Sequence, residues 1–414
     1  MRSRGGLVMV VGWSVLAGCP GDDGMAEGGA TTITSGASSA GDDTGTTTSH
    51  ASTGSTSADD STGASTGEPG LPARLGVTAN WQARSLSVID LDAIAAGAQT
   101  REAIVARTID LSAWAPGPLQ VELAPDGVTA VVSVSPGFFG GFLGSAIGAD
   151  EVEQEGTLLV VDLLDETITE IPTVHVPMGI AIEPGGARAF TANYGLDDPV
   201  GTTMSLIDLA AGAVLEEVEV GARPEQVSLS ADGSLGMINV VSLGGVRVFE
   251  TADPGGTLSD ALEIGSDPSD VAFVPGTSLV VVTNSLDPSN YVVIDVADPA
   301  MPVQVAVGPS PLGSFYGATH VPGSDDVLLT ASDFVSVHLF RVTIGADGTP
   351  SEQWQASRSG VAFPLGAAID VEAGLALIAV PGPNVLMIQP LDGGAATEVP
   401  WQAATGPTYV ALGG

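Results

Sequence analysis

One short sentence is written seven times along this chain, and a chain that repeats itself at a fixed period is confined to very few folds. The sentence opens with a proline and a brief apolar run. The copies are GPLQVEL at 117–123, VPMGIAI at 176–182, RPEQVSL at 223–229, DPSDVAF at 267–273, FPLGAAI at 363–369 and GPTYVAL at 406–412. A weaker copy, FYGATHV at 315–321, has Phe315 in place of the proline. Turn residues follow, as in APDG at 124–127, EPGG at 183–186, SADG at 230–233 and VPGT at 274–277. They supply a fixed φ at proline and a tight reversal at Gly or Asp. A second run comes next (TAVVSV, ARAFTAN, SLVVVTN), then a third (TLLVVDL, TMSLIDL, YVVIDVA) and a less regular fourth. Each run is four to seven residues long, rich in Val, Ile, Leu and Thr, and bounded by turn residues. That is the pattern of strands.

The anchors give the size of the unit. Pro224 and Pro268 lie 44 residues apart, and Pro364 and Pro407 lie 43 apart. Four short antiparallel strands in that length make one blade of a β-propeller. One twisted blade cannot bury both of its faces, whereas blades arranged around an axis can. The two ends complete the count. LGVTAN at 75–80 and LSVIDL at 86–91 are a second and third strand with no first strand before them. GPTYVAL at 406–412 is a first strand with nothing after it. The expected fold is therefore an all-β, seven-bladed propeller of four-stranded blades, closed where the C-terminal strand joins the N-terminal blade. Closure removes an open sheet edge. The fifth and sixth copies depart furthest from the pattern, which predicts distortion in those two blades.

The first 70 residues read differently. Arg2 and Arg4 precede an apolar stretch, Gly5 to Ala17, of about the length of an export-signal core and too short for a lasting transmembrane helix. Leu16-Ala17-Gly18-Cys19 closes it. This resembles the bacterial lipobox. The resemblance implies a lipoprotein signal peptide at 1–18 and lipidation of Cys19, which is the only Cys of the chain. Residues 19–70 are dominated by Ser, Thr, Gly, Ala and Asp and carry almost no apolar side chains, so they are expected to form a disordered tether. The propeller domain then occupies 71–414. The expected location is the bacterial cell envelope, on the periplasmic face or the cell surface, with the membrane reached through the lipid on Cys19.

The repeat carries a second resemblance. ARAFTANYG at 187–195, LGVTANWQ at 75–82 and SLVVVTNSL at 278–286 resemble the YVTN β-propeller repeat, as do SLSVIDL and MSLIDL after them. The likeness spans nearly all of 71–414. It implies a family that includes lactonase-like enzymes, surface-layer proteins and exported propellers of unknown ligand, in which the repeat residues are mainly scaffold. Asn80, Asn193, Asn239 and Asn284 match the closing Asn of the repeat and are expected to satisfy backbone groups at turns. The GH and WD dipeptides of WD-repeat propellers are absent from the sequence.

Charge narrows the partners. Eleven Arg and no Lys stand against 49 Asp plus Glu, for a net charge of −38. Nucleic acid and anionic lipid surfaces are repelled by such a chain. A phosphate-cradling GxxxxGK cannot exist without Lys, and a GxSxG elbow is absent. One thiol and four scattered His leave no thiolate, haem or zinc constellation. No cofactor is expected. Acidic loops such as Asp197-Asp198 and 266–270 offer oxygens to Ca²⁺ but lack the spacing of a known calcium loop.

Two features stand out as candidate working surfaces. Gln120, Gln226, Asp270 and Tyr409 occupy one repeat position, two after the anchor, where the other copies have Gly179, Gly317 and Gly366. The inner strands of a propeller line its axial channel, so these four side chains, with His175 and His320 near the strand ends, are candidate ligand contacts. The second feature is the long insertion at 136–156, in which Phe138, Phe139 and Phe142 sit among glycines as a candidate lid or partner contact. The leading reading is a lipid-anchored, monomeric binding or scaffold module for an envelope protein, a glycan or a small ligand. A lactonase-like or other hydrolytic enzyme using the axial mouth is the alternative, and a purely structural surface component is a third reading.

Overall fold

The computed structural model describes residues 70–136, 156–172, 176–195, 199–286, 289–308, 313–333, 335–359, 363–401 and 405–413. The signal and tether with Cys19, the Phe138–Phe142 insertion, His175 and the Asp197-Asp198 loop lie outside them. The described residues form seven four-stranded antiparallel sheets. The chain is a seven-bladed β-propeller.

In the first blade the strands Pro118–Leu123, Thr129–Val134, Thr157–Asp162 and Ile168–Ile171 follow one another from the axis to the rim. The inner strands of the next five blades are Pro177–Ile182, Pro224–Leu229, Pro268–Phe273, Ser314–His320 and Ala367–Asp370. The closing blade is assembled from both ends of the repeat region. Pro407–Leu412 is its inner strand and pairs antiparallel with Leu75–Asn80, which pairs with Ser85–Asp90 and then Val105–Asp110. Each inner strand lies against the next around the full circle.

The local chemistry matches this arrangement. Between inner and second strand, Gly127, Gly186, Gly233, Gly276 and Gly323 all adopt φ between +69° and +78°, where a Cβ is disfavoured. In the first of these turns Asp126 Oδ1 accepts from the backbone N–H of Val128 (2.9 Å) and Thr129 (2.8 Å). Second strands such as Leu279–Asn284 are buried on both faces because each blade is packed between two others. Rim strands such as Ala213–Glu219 are largely exposed. The core that joins the closing blade to the first contains Leu75, Val77, Leu86, Val121, Val132 and Leu159.

The expected distortion of the fifth blade does not occur. Its outer strands, Ser336–Ile344 and Pro350–Ser359, are nine and ten residues long and paired along their length, with one bulge at Gln353. Phe315, at the place of the anchoring proline, is buried in one apolar cluster with Leu329, Phe340 and Val342. The sixth blade does depart, since its inner strand is four residues long and begins only after Gly366.

Candidate functional site

The site is built by a bulge. Directly after the anchor the inner strand gains one residue over its neighbour in six blades, as between Pro118 and Gln120, Pro268 and Asp270, and Phe315 and Gly317. A bulge adds local twist and re-aims side chains. Here it lets side chains both one and two places beyond the anchor turn inward.

The first of these layers closes one end of the axis. Leu119, Met178 and Leu365 are buried together with Trp81 and Phe363, and Tyr194, Tyr316 and Tyr409 pack against them. Tyr316 meets Phe363 edge to face, with ring centres 6.0 Å apart. Glu225 and Asp267 are the acidic members of this region, and Arg223 lies 5.7 Å from the Tyr194 ring.

The second layer holds the four side chains singled out in the sequence. Gln226 Nε2 donates to Tyr409 Oη at 2.8 Å. Their blades are separated by two blades on one side and three on the other, so this bond crosses the axis. Glycines at the same position leave the necessary room. A Cβ on Gly366 would lie 2.9 Å from the Tyr409 ring, and one on Gly179 would lie 2.6 Å from Gln226 Cα. Asp270 Oδ2 accepts from the N–H of Ala318 in the next blade at 2.9 Å, and a Cβ on Gly317 would stand 3.7 Å from that oxygen.

Beyond this layer the axis widens into a cavity of about 510 Å³, within the range of small-molecule sites. Its wall continues two residues further along each strand with Glu122, Ser228, Thr319 and alanines in the other blades. Gln120, Gln226, Asp270 and Tyr409 all line it. His320 sits at its outer rim, where Nε2 is 2.7 Å from Ser324 O. Sequence reasoning missed Glu122. The signal was present, since a residue two places from Gln120 shares its face of a strand. It also missed Glu225, which only the bulge turns inward.

Electrostatically the cavity is unusual. Burial raises Glu122 to about 7, against the Nε2–H of Gln120 (3.3 Å) and with the charge of Asp270 adding to the rise. Burial likewise raises Asp270 to about 7, although the N–H groups of Ala318 and Val271 favour its ionised form. Glu225 is pushed well above the usual carboxylate range by burial, then by Asp267 and Asp270. The Tyr409 hydroxyl is raised by burial and by Asp270, Glu225 and Glu122. Arg contributes to none of these four shifts. Gln120 is 5% exposed, and its Oε1 is buried with no hydrogen-bond donor among the described residues. The cavity therefore offers acceptors in excess of donors. Among the described residues no group of three or more His, Cys, Asp or Glu has the arrangement to hold a metal ion.

The four Asn residues divide. Asn239 accepts from the N–H of Gln226 and donates to Pro268 O at 2.6 Å, and Asn284 accepts from Asp267 N at 2.9 Å and donates to Leu286 O at 2.6 Å. These satisfy backbone groups as expected. Asn80 and Asn193 instead bind side chains. Asn80 donates to Ser87 Oγ (3.0 Å) and accepts from Trp401 Nε1 (3.0 Å), while Asn193 donates to Ser205 Oγ (2.7 Å) and Thr203 Oγ1 (2.9 Å). Hydroxyls on the neighbouring strand lie on the same face as the amide and capture it.

No family model matches the chain, and no curated protein matches it. Solved structures do. A functionally unknown protein from Desulfotomaculum acetoxidans DSM 771 is similar at 16% identity and a TM-score of 0.63, over 82% of this chain and 99% of that one. Kuenenia stuttgartiensis hydrazine synthase is similar at 17% identity and a TM-score of 0.51, over 67% of this chain and 77% of that one. The β-propeller domain of a Myceliophteria thermophila protein is similar at 9% identity and a TM-score of 0.52, over 68% of this chain and 86% of that one. At these identities the likeness is one of fold, and what the comparisons establish for this chain is the seven-bladed β-propeller.

Proposed function

We propose that the protein is an exported, lipid-anchored binding module of the YVTN-like repeat type, whose ligand enters the axial cavity. The observation that carries the reading is the cavity itself. It has strand walls, one end plugged by Trp81, Leu119, Met178, Phe363 and Leu365, and a buried acceptor on Gln120 left without a donor among the described residues. A buried polar group without a partner costs free energy that a ligand recovers. The N-terminal Arg2/Arg4, the apolar stretch and Leu16-Ala17-Gly18-Cys19 support export and attachment at the bacterial cell envelope. The test is a thermal-shift panel of small polar compounds on the full chain and on Ser228→Phe, which fills the cavity from its wall. Compounds that stabilise the wild-type chain and not the filled variant support the reading. Stabilisation that is the same in both overturns it.

A second reading, a lactonase-like or other hydrolase, is favoured by one observation. Burial raises Glu122 and Asp270 to about 7, where a general acid or base is most useful. An ester or lactone panel tests it: turnover lost in Glu122→Gln or Asp270→Asn supports a hydrolase, and its absence across the panel leaves the binding module.

A further inference from the structure

The wall of the axial cavity specifies the kind of ligand it takes. Its acceptors are Gln120 Oε1, the carboxyls of Glu122 and Asp270, and, one layer deeper, Glu225. Its amide and backbone donors are engaged, Gln120 Nε2 on Glu122, Gln226 Nε2 on Tyr409 and Ala318 N on Asp270, while the hydroxyls of Ser228 and Tyr409 accept as well as donate and, among the described residues, no Arg lines the wall. An anion is repelled by such a wall. A metal ion needs several ligand atoms converging within about 2.0–2.6 Å, an arrangement lacking among the described residues. A neutral hydroxyl compound fills the vacant hydrogen bond but is not held by the charge of Glu122 and Asp270 in their ionised form. An ammonium group is donor-only, carries a positive charge, and reaches acceptors at hydrogen-bond rather than coordination distance.

We propose that the axial cavity binds a small organic ammonium ion, a primary amine whose N–H donors engage Gln120 Oε1 and the carboxylates of Glu122 and Asp270. The proposal rests on the reading of the cavity as the ligand site. The oxygen of Gln120, buried without a donor among the described residues, adds a neutral acceptor to the two acids. The ligand's charge falls where Asp270 and Glu122 act on one another across the axis. Tyr409 presents an aromatic ring to the same space, a surface that attracts cations.

Proton release follows from this arrangement. The titratable groups that face Glu122 and Asp270 are each other, Glu225 and the Tyr409 hydroxyl, with His320 at the rim. Near neutral pH the two carboxyls are partly protonated, and a bound cation expels those protons. Affinity for an amine therefore rises between about pH 6 and pH 8 and then levels off.

The experiment is calorimetric titration of the full chain with diaminobutane, and with butanediol as a neutral probe of the same length. The expected result is amine binding at least about tenfold tighter than diol binding, weakened about tenfold by either Glu122→Gln or Asp270→Asn. The enthalpy near pH 7 should depend on the buffer, reporting released protons. Equal affinity for the two probes, no amine binding at all, or amine binding indifferent to both substitutions overturns the ammonium assignment. Ser228→Phe separates the two levels of the argument. Loss of diol or other neutral binding in that variant, without amine preference, leaves the cavity as the site and removes only the ammonium. Binding of any probe unchanged by Ser228→Phe removes both.

Discussion

Gln226 and Tyr409, 183 residues apart in sequence, meet across the propeller axis in a hydrogen bond of 2.8 Å. The bond ties the third blade to the closing blade through the centre of the ring rather than around it. It also forms part of the floor of the axial cavity, with the aromatic plug behind it. Tyr409→Phe keeps the ring and removes the hydroxyl, leaving the Gln226 amide, 4% exposed, short of an acceptor. The expected cost is about 1–2 kcal/mol in denaturant unfolding. No loss of stability would mean that the amide finds another partner.

The glycines of the same layer are predicted to be intolerant of a methyl group. Gly179→Ala would place Cβ 2.6 Å from Gln226 Cα and from Glu225 O, backbone atoms that cannot turn aside. A loss of about 1–3 kcal/mol is expected. Gly185, in the turn of the same blade, has open space where its Cβ would go, so Gly185→Ala serves as the neutral control. Unfolding curves of the two variants should separate clearly.

Glu122→Gln should change stability in a pH-dependent way. The folded state raises this carboxyl from 4.5 to about 7, so the native protein holds a proton that the unfolded chain has released. The contribution is fully present below the unfolded value and is lost as pH rises through the folded one. Wild-type stability should therefore fall across that window, and that of Glu122→Gln should fall less steeply, keeping only the part due to the other raised carboxyls, Asp270 and Glu225. At about pH 8 the variant is expected to be more stable by on the order of 1–3 kcal/mol, with a smaller difference at about pH 4. Thermal melts at the two pH values check the sign.

Much of this architecture was legible in the sequence. Pro-anchored strands, Asp/Gly turns and a period near 44 define the blade, and the unmatched strands at 75–80 and 406–412 define how the ring closes. The second-layer residues Gln120, Gln226, Asp270 and Tyr409 were legible too, because position within a repeat maps directly onto position around an axis. What sequence could not supply is the contact across that axis. Gln226 and Tyr409 share a repeat position, but nothing local says which of seven strands faces which. The bulge that turns Glu225 inward likewise depends on pairing with the second strand. At Phe315 the repeat lacks its anchoring proline, yet the residue packs in the core against Phe340 and Leu329, a contact between distant strands that local sequence does not reveal.

Closure at the C-terminal strand has its own consequence. Thr408 Oγ1 donates to Leu119 O at 2.6 Å, so this strand holds the first blade as well as its own. Removing residues 406–414 would strip Leu75–Asn80 of its inner partner and expose an unpaired edge. The truncated chain is expected to self-associate and to lose its cooperative thermal transition. Size-exclusion chromatography with circular dichroism measures both, and a monomeric truncation with an unchanged transition would refute the role given to this strand.

The account turns on whether the axial cavity is where a ligand resides, and a thiol placed in its wall reports this directly. In a full chain carrying Cys19→Ser, Ser228→Cys supplies the sole thiol. Its rate of alkylation is measured with and without a saturating amount of the compound that most stabilises the wild-type chain. The account predicts that the ligand slows alkylation severalfold and that the alkylated protein no longer binds it. Alkylation at the same rate with ligand present, or full binding after alkylation, would contradict it.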